Sequence, residues 1–196
     1  MRDLAYLLVF DGFADWEPSF AVAEINKTER YSVRTVGFTP EPVTSMGGLR
    51  VLPDAALGEM DRDRAALVIL PGGDMWEEGT RAELWPLLRE LDRAGVPIAA
   101  ICAATVEVVR GGLHRGRRHT SNGLDYLRSL VVDYDGADDY VPELSARDGG
   151  LITASGAAPV EFAREIFHAL DIYSESDRQV WFDLFKHGIM PAESPQ

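Results

Sequence analysis

A chain of 196 residues, 46% of them hydrophobic, is long enough for one compact domain with a full core and ordinary in composition for a globular protein. Its formal charge of −13 argues against a nucleic-acid partner and reads first as a solubility feature. With a single cysteine the chain forms no intramolecular disulfide and fits a reducing compartment.

The first apolar run, Leu4 to Phe10, is too brief for a membrane span and ends at Asp11-Gly12 without a signal-peptidase pattern. It reads as a first strand, and the protein as cytoplasmic with no membrane partner. Ser32 to Phe38 alternates more and is expected nearer a sheet edge. Leu67 to Leu70, closed by Pro71-Gly72-Gly73, is a second buried strand. Leu84, Leu87, Leu88 and Leu91 form a helical stripe that Gly95 and Pro97 stop. Ile98 to Ile101 is a third short apolar run. Tyr140 to Thr153, with Arg147-Asp148-Gly149-Gly150 at its middle, reads as a hairpin. Phe162, Ile166, Phe167 and Leu170 mark one late helix. Val180, Trp181, Leu184 and Phe185 mark the last, ended by Gly188 and Pro191. The organisation expected is one domain over 1–190 and a loose tail over 191–196.

Short continuous apolar runs suit strands buried on both faces of a parallel sheet. Their alternation with helical stripes predicts an α/β fold, a parallel sheet sandwiched by helices. Ligands of such sheets bind outside the carboxyl ends of the strands. Asp15-Trp16-Glu17, Gly72-Gly73 and Cys102 all follow predicted strand ends, so they converge if those strands are neighbours.

Cys102 follows its strand at once, with Ala100 two residues before it and Ala104 two after. A strand turning sharply into a helix between small residues is the geometry of a nucleophile elbow. The helix N-terminus favours thiolate over thiol, which predicts a depressed pKa. The competing reading of Cys102 is a small buried hydrophobe. Glu17 reads alone as an ordinary first-turn glutamate. If it reaches Cys102 as a buried, protonated carboxyl, it donates a hydrogen bond to the thiolate. Gly72 and Gly73 make either a plain turn or a close approach to ligand, with the Gly73 and Ala103 N–H groups as an oxyanion hole. His114, His168 and His187 read as surface residues. His119 follows Cys102 by one helix and a turn. The sequence holds no zinc-type spacing and no Walker or G-x-G-x-x-G loop, so no metal or cofactor is expected.

Together these segments resemble the DJ-1/PfpI superfamily, which has the class I glutamine amidotransferase-like, flavodoxin-like fold. Glu17 matches the family's acid after the first strand. Ser45 to Asp54, Leu67 to Gly73, Ala99 to Thr105 and Thr153 to Ala163 match its G-x-x-V-x-P-D stretch, its strand and glycine turn, its elbow and its glycine-to-helix signature. The resemblance implies a homodimer, a Cys102–Glu17 thiol–carboxyl pair, and Gly73 and Ala103 as oxyanion donors. It also exposes departures. PfpI-type proteases place a histidine directly after the cysteine, where this chain has Ala103, which weakens a peptidase reading. DJ-1-like members carry a histidine at the end of the next strand, where this chain has Asn122. Isocyanide-hydrating members use an aspartate in place of Glu17.

The expectation is a cysteine-dependent, hydrolase- or amidase-like enzyme for a small electrophilic carbonyl substrate. Trp16, Asp74, Trp76, His119 and Asn122 are expected to line its pocket. In an extended strand positions three apart face opposite ways, so if Asn122 points inward His119 points away, unless the strand has already ended between them, and His119 is not expected to be the general base. The alternatives are a glyoxalase or deglycase activity, and a stress protein that senses oxidants through Cys102.

Overall fold

A computed structural model describes residues 3–191. Its strands are β1 (Asp3–Leu8), β2 (Tyr31–Gly37), β3 (Val43–Thr44), β4 (Arg50–Val51), β5 (Ala55–Ala56), β6 (Ala65–Leu70), β7 (Ile98–Ile101), β8 (Ser145–Asp148) and β9 (Leu151–Ala154). Its α-helices are α1 (Ser19–Lys27), α2 (Met75–Glu78), α3 (Trp85–Arg93), α4 (Ala104–Arg110), α5 (Leu124–Leu130), α6 (Pro159–Leu170) and α7 (Glu175–His187). Among the described residues one seven-stranded sheet has the order β5-β2-β1-β6-β7-β9-β8, and β3 and β4 form a separate antiparallel ribbon.

The sheet pairs in parallel from β5 to β9, and only β8 runs antiparallel, against β9. Its middle is buried on both faces: Ile98, Ala99, Ala100 and Ile101 are inaccessible to solvent, as are Ala5, Leu8, Leu67 and Ile69. Burying one Leu or Ile side chain contributes roughly 1.5–3 kcal/mol, so such a strand needs helices on each side. The connections provide them. The α1 crossover runs from β1 to β2 and the α3 crossover from β6 to β7, in opposite directions along the sheet. Right-handed crossovers therefore put the two helices on opposite faces. The helices α6 and α7 join α1 on its face, and α2 packs with α4.

The expected strands are present, and Ser32 to Phe38 falls in β2, second from the edge. The expected hairpin is shorter than 140–153. Its strands are β8 and β9, turning at Gly149-Gly150, whereas Tyr140 pairs instead with His119 in an isolated bridge. The last helix also differs. Trp181 and Phe182 are buried while Val180 and Phe185 stay exposed, because α7 touches the body along one narrow edge of its surface. There Trp181 meets Phe167 edge-on at 4.7 Å and donates through its indole N–H to Glu24. The expected tail lies outside the described residues except for Pro191.

Candidate functional site

The strands β1, β6 and β7 are neighbours, so the loops after them meet at one end of the sheet. Glu17 arrives from the loop before α1, Gly72 from the loop after β6, and Cys102 from the junction of β7 and α4. Cys102 has φ +60°, the left-handed region that a non-glycine residue enters at a cost of about 1–3 kcal/mol. Its backbone is pinned on both sides. The Cys102 N–H donates to the Ala154 carbonyl at 2.9 Å. Its own carbonyl accepts from the Thr105 hydroxyl at 2.6 Å, and that hydroxyl shares a 2.6 Å hydrogen bond with Ser121.

Three groups meet the half-buried sulfur. The thiol hydrogen-bonds to the Glu17 carboxyl, the Ala103 N–H points at the sulfur, and the Asn122 amide donates to it at 3.4 Å. Asn122 is held in turn by the Gly156 N–H, which donates to its oxygen at 2.9 Å. Glu17 is only 1% exposed and accepts from the Gly72 N–H at 2.6 Å. Two glycines make room for the pair. A Cβ on Gly156 would lie 2.7 Å from the sulfur, and one on Gly72 would lie 2.7 Å from the carboxyl and 2.8 Å from the Cys102 Cβ. Any side chain at either position would displace the reacting groups.

Burial, and then the neighbouring Glu17 carboxylate, push the Cys102 thiol up to about 11, against the lowering hydrogen bonds from Asn122 and Ala103. Burial likewise raises Glu17 above the usual carboxylate range. This runs against the expected depressed thiol pKa: the start of the seven-residue helix α4 does not offset removal from water beside an acid. The two acids titrate as a pair, and one proton stays on that pair across neutral pH.

The remaining expected residues scatter. Gly73 lies in the turn against the Phe10 ring, and Asp74 and Trp16 are exposed on the strand-end loops. Trp76 does not line the crevice. It is fully buried, donates to the Pro71 carbonyl at 2.8 Å and meets Phe10 edge-on, so it props the glycine turn from behind. His119 does not line it either. Its ring is fully buried, with one nitrogen 2.8 Å from the Arg117 carbonyl and the other 2.6 Å from the Tyr134 hydroxyl. His119 is held by its isolated bridge to Tyr140, and the chain has left strand geometry by the bend at Asn122, which meets the sulfur. His114 is not a surface residue: it is 1% exposed and stacked edge-on with His119. Among the described residues no group of three or more His, Cys, Asp or Glu side chains is placed to hold a metal ion.

Sequence reasoning missed Tyr126 and Glu77. Tyr126, on α5, hydrogen-bonds with Asn122 and lies in the field of Cys102, while its hydroxyl donates to the Glu77 carboxylate at 2.6 Å. Burial and Glu77 hold its phenol above the ordinary tyrosine range. Asn122 lies outside α5, which begins at Leu124, so no helical spacing in the sequence links it to Tyr126.

A family model described as the DJ-1/PfpI family matches residues 4–169. The chain belongs to the DJ-1/PfpI family. A Bacillus subtilis relative named as an uncharacterized protease, YoaZ, is 36% identical over 188 residues, 92% of this chain and 90% of the relative. The crystal structure of a thiJ/pfpI family protein from Bacillus anthracis, 34% identical, superposes with a TM-score of 0.90 over 96% of this chain and 92% of that one. A more distant DJ-1/PfpI relative, named as the deglycase TK1284 of Thermococcus kodakarensis, is 29% identical over 59% of this chain and 69% of its own length. The flavodoxin-like DJ-1/PfpI sheet expected from the motifs is therefore the fold of this protein.

Proposed function

We propose that this protein is a cysteine-dependent, hydrolase- or amidase-like enzyme for small electrophilic carbonyl compounds. The observation that carries the reading is the strained, half-open Cys102 thiol, hydrogen-bonded to a buried carboxyl that has no other acid–base neighbour among the described residues. As the sulfur bonds to a carbonyl carbon, the thiol proton passes to Glu17 and the carbonyl electron pair moves onto oxygen. The Gly73 and Ala103 N–H groups are the donors assigned to that oxyanion. With an ester or amide the oxyanion collapses, the leaving group departs with the proton held by Glu17, and a thioester remains. Water then attacks, Glu17 accepts its proton, the carboxylic acid leaves and the thiol reforms.

With a 2-oxoaldehyde there is no leaving group, and the oxyanion takes the proton to give a hemithioacetal. Glu17 then moves the C–H proton of that carbon to the adjacent carbonyl carbon, whose oxygen is protonated from the hemithioacetal hydroxyl, and the resulting 2-hydroxy thioester is hydrolysed by water as before. Asn122 favours this second, glyoxalase- or deglycase-type reading, because an amide beside the sulfur accepts no proton near neutral pH and does not help expel an amine. A peroxide-sensing role draws on the thiolate and is disfavoured by a thiol held near 11. The reading also takes the protein to be a cytoplasmic homodimer. Trp16, Met46, Leu49 and Leu52 expose apolar surface beside the site, on segments joined by the Met46–Phe13 backbone bond.

The test is a turnover screen of wild type against Cys102→Ala on methylglyoxal, activated esters and amides, with light scattering for the assembly. The reading expects turnover of aldehydes or activated esters that vanishes in Cys102→Ala. Turnover that survives the substitution contradicts it.

A further inference from the structure

We infer that Glu77 and Tyr126 select the substrate of the Cys102 site: it takes carbonyl compounds without negative charge, and Glu77 receives an ammonium or guanidinium group when the substrate carries one. The inference rests on the proposed reading of Cys102 as a carbonyl-directed nucleophile and names the class of carbonyl.

The placement is set by the sheet. Glu77 lies on α2, just past the β6 turn, and Tyr126 lies on α5, just past Asn122. Their 2.6 Å hydrogen bond joins two segments separated by 49 residues. Tyr126 is partly buried and bonded to Asn122, whereas Glu77 is exposed. The phenol thus fixes a carboxylate on the solvent side of the Asn122–Cys102 contact. Asp74 and Glu78, exposed on the same short segment, add charge of the same sign.

Among the described residues no Lys, Arg or His forms an ion pair with Glu77. The groups that act most strongly on Cys102 and Tyr126, burial aside, are the Glu17 and Glu77 carboxylates, the Asn122 amide, the Ala103 N–H and, for Tyr126, the thiol itself. The nearby Arg110 is spent inside the fold, donating to the Trp76, Gly79 and Leu130 carbonyls. A site for a carboxylate-bearing substrate presents a guanidinium fork or an ammonium. This one presents a carboxylate whose hydroxyl donor holds it in place.

The test labels the sulfur and requires no turnover. Cys102 is the only cysteine, so each thiol reagent gives one rate. Rates are measured at low salt with a trimethylammonium-ethyl and a sulfonato-ethyl methanethiosulfonate, and with iodoacetamide against iodoacetate as a smaller pair. Each ratio is divided by the same ratio for 2-mercaptoethanol, which cancels the intrinsic reactivity of the thiol. The cation-over-anion ratio is expected to exceed about ten, since the two reagents differ by two charges and approach the sulfur past a fixed carboxylate at low salt. Glu77→Gln, which keeps an acceptor for Tyr126, is expected to lower it about threefold or more. Asp63→Asn, an equal charge change at an exposed position just before β6, at the opposite end of the sheet from the site, separates the local carboxylate from the overall field. A wild-type ratio near one, or equal losses in the two variants, overturns the inference. A screen without carbonyl turnover would count against the proposed function and leave the labelling result standing.

Discussion

The helix α4 has a polar cluster near each end, and the two are opposite in character. At its start, the Cys102 sulfur is half open and receives hydrogen bonds from Asn122 and Ala103 while sharing a proton with Glu17. Past its end, His114, His119, Tyr134 and Tyr140 are stacked in a closed cluster. There the His119 nitrogens are bonded to Arg117 and Tyr134, and one His114 nitrogen lies 2.9 Å from the Asp135 carboxylate. The imidazoles are the more familiar catalytic groups, yet both rings are buried; three of their four nitrogens are bonded to Arg117, Tyr134 and Asp135, and the fourth, His114 Nδ1, is shut away without a partner. Residue type does not decide which cluster reacts. Exposure does.

Substitutions can break this contrast, and the largest effect is expected at Glu17. Glu17→Gln removes the one carboxyl that meets the sulfur among the described residues and is expected to lower kcat/KM about a hundredfold or more, the scale of a general base. A loss of only a few-fold would move proton transfer to water. Next is Gly156→Ala, whose added methyl would lie 2.7 Å from the sulfur. It is expected to slow iodoacetamide labelling about tenfold at a cost of roughly 1–3 kcal/mol in stability. Unchanged labelling would mean that the sulfur has room to move aside.

The closed cluster should answer the other way. His119→Ala is expected to leave kcat/KM within a few-fold of wild type and to cost about 2–4 kcal/mol in urea unfolding. It opens a cavity and leaves the Tyr134 hydroxyl without its 2.6 Å partner. A hundredfold kinetic loss with unchanged stability would reverse the assignment of the two clusters. The smallest effect is on pH dependence. Burial holds His114 below the ordinary imidazole range, so the unfolded chain takes up its proton more readily than the folded one. Stability from this residue is complete above the unfolded value of about 6.5 and declines as pH falls through it. Unfolding free energies at pH 7 and pH 5 should differ less in His114→Phe than in wild type.

The legible features were those that depend on local order along the chain. Apolar runs ending in glycine or cysteine marked β1, β6 and β7 and placed Glu17, Gly72 and Cys102 at one end of the sheet. His119 and Asn122 do not both meet the sulfur, as expected, but the chain between them forms no strand, so alternation is not the cause. Features that depend on what lies across space were not legible. The burial and acidic neighbour that raise the Cys102 thiol belong to three separate segments. The Tyr126–Glu77 bond closes between helices on different loops, and no periodicity signals it. Trp76 reads as a pocket residue from its position after Gly73, but a short helix turns its indole back to the Pro71 carbonyl.

The account stands on a proton shared between Cys102 and Glu17, and the pH profile of Cys102 alkylation tests that most directly. Iodoacetamide rates followed from pH 6 to pH 12 in wild type should turn upward with an inflection near 11. In Glu17→Gln, where the charge beside the sulfur is gone, the inflection should move down. A wild-type inflection at or below the ordinary thiol value of about 8.5, or one that Glu17→Gln leaves in place, would contradict the account.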